Sequence, residues 1–95
     1  MGIRKRKISG LQCGVIAVNI GSIAATSILD TPCVVNGLTP SHQVMVMCNG
    51  SLEAGVVIVA AWVPSANTLT IRAYNTTAAP IDPATQNYFY IAWIP

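Results

Sequence analysis

The sequence predicts an all-β fold, a single antiparallel β-sandwich or jelly-roll-like domain of about seven short strands with a flexible basic N-terminal arm. Three observations lead there. Segments rich in β-branched and aromatic residues recur between Gly, Pro, Asn and Ser at intervals of about 8–12 residues, the spacing of sandwich strands. No segment carries the apolar period of an amphipathic helix. The 95 residues are 53% hydrophobic and only 8% charged. That composition provides for one domain with a core and excludes a disordered chain, which needs high charge and few apolar side chains.

Residues 1–10 read as the arm and residues 11–95 as the sandwich. The expected strands are 14–20, 24–29, 33–36, 43–48, 56–63, 68–75 and 88–94. Within 68–75, Leu69, Ile71 and Ala73 share one face and Thr68, Thr70, Arg72 and Tyr74 the other, so this strand is half buried with Arg72 on the wetter side. In 43–48, Val44, Val46 and Cys48 oppose Met45 and Met47. Segment 56–63 is apolar on both faces, which predicts a central strand or one whose outer face meets another subunit. Asn36-Gly37 and Asn49-Gly50 tolerate positive φ and mark hairpins or tight turns. Residues 64–67 connect two strands, and Pro80 with Pro83 stiffens the loop before the last one.

Charge is distributed unevenly. Arg4, Lys5, Arg6 and Lys7 are four of the five basic residues, whereas from Ile8 onward Arg72 stands against Asp30, Glu53 and Asp82, a net −2. A nearly uncharged body thus follows a basic arm that repels itself until an acidic surface receives it. So few charges do little to keep copies apart in solution, and partners are expected to cover much of the surface.

The chain points to no enzyme. Its three acids, one histidine and three cysteines form no nucleophile elbow, P-loop, dinucleotide fingerprint or metal motif, so no cofactor, metal or small-molecule substrate is expected. His42 reads as an exposed loop residue. Cys13, Cys33 and Cys48 read as small core hydrophobes. Asn49 and Asn75 each open a glycosylation tripeptide, a pattern frequent by chance. The arm suits phosphates or acidic protein equally, but it has no interleaved aromatics and no basic stripe continues it, which argues against nucleic acid. The uncharged stretch 8–29 superficially matches a secretory signal, yet Gln12, Asn19 and three glycines interrupt it; neither a cleaved leader nor a membrane span is expected.

The runs Gly37-Leu-Thr-Pro-Ser-His-Gln-Val-Met-Val-Met-Cys-Asn49, Leu52-Glu-Ala-Gly-Val-Val-Ile-Val-Ala-Ala-Trp62, Ser65-Ala-Asn-Thr-Leu-Thr-Ile71 and Asn75-Thr-Thr-Ala-Ala-Pro-Ile-Asp-Pro83 carry a resemblance. Together they resemble small tailed-phage and cyanophage virion proteins, the capsid decoration or cement proteins. The resemblance covers about residues 14–95. Residues 1–7 have no counterpart in it, and Met45, Met47 and Cys48 stand where plainer valines are expected.

The resemblance implies a structural protein on the outer surface of the virion head, assembled in the host cytoplasm. It would bind the major capsid protein and copies of itself, most naturally as closed trimers, and help the shell resist the pressure of packaged DNA. Arg4, Lys5, Arg6 and Lys7 would then supply the electrostatic part of capsid binding, with Met45, Met47, Trp62 and Trp93 as candidate interface anchors. The alternative is a tail, spike or fibre-associated β-sandwich binding module.

Overall fold

Alternating apolar side chains carry six strands: β1 (Ser9–Val18), β2 (Ile28–Val34), β3 (Gln43–Cys48), β4 (Val56–Ser65), β5 (Thr68–Asn75) and β6 (Gln86–Ile94). They come from a computed structural model that describes residues 8–95; Arg4, Lys5, Arg6 and Lys7 lie outside the described residues. All pairings are antiparallel, in two three-stranded sheets ordered β1-β6-β3 and β2-β5-β4. The chain switches sheet at every connection except the short β4–β5 turn at Ala66 and Asn67. First strand therefore pairs with last and second with next to last, the nested wrapping of a jelly roll. The all-β sandwich is the predicted class.

Three elements depart from expectation. Segments 24–29 and 33–36 are not separate strands, since Ile28–Val34 runs unbroken through Pro32, which opposes Thr70. A proline interrupts a central strand, but β2 is an edge, where a missing N–H is tolerated. Strand β1 begins at Ser9 rather than residue 14, so Ser9 and Gly10 join the sandwich and not the arm. The reason is a bulge between Ser9 and Gln12, with Gly10 at φ 59. A side chain on Gly10 would also strike Ile94, 2.8 Å from the position of its Cβ. Strand β4, apolar on both faces, is an edge; β5 takes the centre.

The core lies between the sheets. Strand β5 contributes Leu69, Ile71 and Ala73, each fully buried, and β6 contributes Tyr88, Tyr90 and Ala92. At one end Asn67, at φ 62, ties the β4–β5 turn to the 35–38 loop. Its N–H donates to the Leu38 carbonyl (2.8 Å), its carbonyl accepts from Val35 N–H (2.9 Å) and its Oδ1 from Gly37 N–H (2.9 Å). At the other end Ile23 and Ile81 exchange backbone bonds of 2.7 and 3.0 Å.

Burial raises the Tyr88 phenol above its ordinary 10.0, with Cys48 and Cys33 adding to the effect, and burial raises the Cys33 thiol above 9.0. The folded state thus favours both neutral forms, and their stabilisation is intact below about pH 9. It is lost as pH climbs through the raised folded-state values. Thermal midpoints measured against pH are therefore expected to hold up to about 9 and to fall beyond 10. Tyr88→Phe should flatten the alkaline fall; an unchanged slope in that variant would remove Tyr88 as its cause.

Candidate docking face

The period of two that sends Tyr88, Tyr90 and Ala92 into the core sends Phe89, Ile91 and Trp93 of the same strand outward. The register aligns the neighbours in rungs. Ile91 opposes Cys13 of β1 and Met45 of β3, and Phe89 opposes Val15 and Met47. Trp93 opposes Gln43, and Ala17 opposes Asn87. Leu11, beside the β1 bulge, is 68% exposed, while Val15, Met45 and Met47 are each a little over half exposed. The outer face of sheet β1-β6-β3 is thus continuously apolar across three strands, with Gln43 and Asn87 at its ends and no charged side chain in any of the three.

Body charges lie elsewhere. Arg72 on β5 clamps Asp30 of β2 with two bonds, Nε to Oδ1 at 2.7 Å and Nη2 to Oδ2 at 3.0 Å. Its guanidinium also sits 4.9 Å from the centre of the Trp62 ring on β4. Bonding to Arg72 holds the Asp30 carboxyl below its ordinary range and raises Arg72 in turn. Both partners are more than a third exposed, so the pair orients three strands more than it stabilises them. Of the candidate anchors, Met45, Met47 and Trp93 come together on the apolar face. Trp62 does not; it belongs to the opposite sheet, beneath Arg72.

A recess opens where β3 and β4, the edges of different sheets, approach each other. It holds ≈ 220 Å³ and is lined by Val44, Val46, Ile58, Ala60 and Ala61, with Met45 and Val59 also contributing. That is smaller than the roughly 300–1,000 Å³ of ordinary ligand sites, and none of these side chains titrates. Among the described residues, no three His, Cys, Asp or Glu side chains converge as metal ligands would.

Two readings change, those of His42 and Cys13. His42 is buried, not an exposed loop residue: Thr39 N–H donates to Nδ1 (3.1 Å), which makes Nε2–H the donor to the Gly10 carbonyl (2.9 Å). The imidazole thereby pins the start of β1 to the loop before β3. Asn75 has no exposed surface, so its glycosylation tripeptide is closed in the folded protein. Cys13 is exposed on the apolar face rather than in the core, while Cys33 and Cys48 are half-buried against the core.

Sequence reasoning missed Leu11, Cys13, Val15, Phe89 and Ile91 as face residues. The signal was present: alternation from Leu11 to Ala17 puts only apolar residues on one side, but a strand begun at 14 cuts the row in two. No family model matches the chain, and no curated protein or solved structure is significantly similar to it.

Proposed function

We propose that this chain is a non-enzymatic structural virion protein, a capsid decoration or cement protein that binds the outer surface of a tailed-phage head and helps the shell withstand packaged DNA. The observation that carries this reading is the uncharged apolar face of sheet β1-β6-β3, spread over three strands with Leu11, Val15, Met45 and Met47 each more than half exposed. A surface of that kind belongs against another protein. Sparse body charge and the resemblance of residues 14–95 to cement proteins support the same conclusion.

In this reading the partners are the major capsid protein and other copies of the chain, and no cofactor, metal or small molecule takes part. Arg4, Lys5, Arg6 and Lys7 supply the electrostatic component, a cationic segment for an acidic groove of the capsid. The deciding experiment is quantitative mass spectrometry of purified particles against the major capsid protein. Near-equal copy number is expected; a few copies per particle would identify a tail component instead, and absence from particles would reject the reading.

The arm gives a separate prediction. With Arg4, Lys5, Arg6 and Lys7 all changed to Ser, circular dichroism should be unchanged. Capture by shells lacking the protein should slow by about tenfold or more at low salt and by less at high salt. Equal capture rates at low salt would remove the arm from docking.

A further inference from the structure

The apolar face is lined along β3 by Met45 and Met47 and along β1 by Leu11, Cys13, Val15 and Ala17, with β6 between them. Turning a second copy by 180° about the line of β6 reverses left and right while keeping strand directions. By the register, Met45 of each copy then lies over Cys13 of the other and Met47 over Val15, and β6 lies over β6. We propose that this face is closed by a second copy of the same chain, giving a two-fold dimer held by face-to-face packing of the two β1-β6-β3 sheets.

Charge and area favour that occupant. No strand of the sheet carries a charge, so two identical faces meet without the like-charge repulsion that normally opposes self-association. The arm is a poor alternative cover, because its four consecutive cations present no apolar side. With strands about 4.8 Å apart and a rise of about 3.3 Å per residue, the face measures roughly 15 by 25 Å. Closing two such faces buries on the order of 1,000 Å² once side-chain relief is included, the threshold for a specific interface and the small end of the range for stable ones. Twisted sheets stack this way at about −30° and about 10 Å apart, a distance that methionine side chains from one side bridge well.

The pairing covers Cys13, which supplies a readout independent of mass. The purified full-length chain is followed through a dilution series by sedimentation velocity and by alkylation of Cys13, read at the peptide level. Expected is a species of twice the 10.0 kDa chain mass that dissociates on dilution. Cys13 alkylation should be about tenfold or more slower in the dimer than in the diluted chain. Met47→Glu, which places a charge inside the interface, should sediment as a single chain with unchanged circular dichroism and fast Cys13 alkylation at every concentration.

A wild-type chain that stays at 10.0 kDa throughout overturns the pairing. So does one that plateaus near three chain masses, as the resemblance-implied trimer would, or one whose Cys13 reacts at the same rate at all concentrations. Should Met47→Glu fail to fold, the wild-type dilution series decides by itself. None of these readouts involves a shell, so a monomeric result leaves the virion reading to its particle test, and absence from particles leaves the dimer standing.

Discussion

Asn75→Asp is expected to unfold the protein, or bring it close to unfolding, at neutral pH. The Asn75 side chain has no exposed surface, and its Nδ2 donates to the carbonyls of Ile23 (3.1 Å), Ala24 (3.3 Å) and Ala79 (2.7 Å). Its Oδ1 accepts from Thr77 N–H (2.9 Å) and Oγ1–H (2.7 Å). One amide thus holds the loop before β2 to the loop after β5, beside the Ile23–Ile81 bridge. A carboxylate of the same shape keeps the Thr77 bonds, loses both donors and turns a buried negative oxygen toward three carbonyl oxygens.

Breaking a buried polar arrangement in this way costs about 3–5 kcal/mol, against about 5–15 kcal/mol for the whole stability of a domain. At about 4–8 °C per kcal/mol, the thermal midpoint should fall by 15 °C or roughly more at pH 7. Burial raises the folded-state pKa of the new carboxyl, so the deficit should be smallest below about pH 4, where both states hold the proton, and should grow as pH rises. Asn75→Ala removes the same bonds without adding charge and is expected to be the milder change at pH 7. A midpoint for Asn75→Asp within a few degrees of wild type at pH 7 would refute the role assigned to this amide.

Ile71→Ala should be the most damaging apolar truncation. Ile71 is fully buried at the middle of β5, the central strand of its sheet, between Thr31 of β2 and Ala61 of β4. Removing three carbons there loses transfer energy and leaves a cavity that the paired neighbours cannot close, a cost of about 2–5 kcal/mol. Chemical denaturation should show the midpoint shifted with little change in slope. Ile28→Ala, on the outer face of the same sheet and 54% exposed, should change stability by no more than about 0.5 kcal/mol. Equal losses from the two substitutions would mean that the core is not centred on β5.

Strand β5 was legible because its alternation is clean, Leu69, Ile71 and Ala73 against Thr70 and Arg72, and because β4 leads into it through a two-residue turn. Strand β3 was found with its full span for the same reason. Which strands are neighbours was not legible. Apart from β4 with β5, every pairing joins segments distant in the chain, and the cross-strand contacts that select them leave no local signature. Pro32 misled because a proline reads as a stop unless the strand is known to be an edge. His42 misled in the opposite sense: a polar residue in a turn-rich segment reads as solvated, and only the folded loops supply the carbonyl and N–H groups that satisfy it. Of the docking face, Met45, Met47 and Trp93 were legible by residue type alone, whereas its continuity depended on the strand start that the Gly10 bulge concealed.

The sheet edges differ in what they invite. Strand β2 carries Asp30 and Pro32 along its rim, and both discourage another chain from extending the ladder. Strand β3, Gln-Val-Met-Val-Met-Cys, has no charge, proline or glycine in six residues, the composition of a segment that stacks into cross-β fibres. Among the described residues its free rim is shielded only by the nearby β4, which belongs to the other sheet and does not pair with it. Heating or prolonged storage of the purified chain should therefore end in thioflavin-positive fibrils growing from the β3 edge, and Met45→Lys should act as a gatekeeper that delays them. Under the proposed virion role, incorporation into the shell would then also protect the chain from itself, by removing it from the pool in which fibrils nucleate.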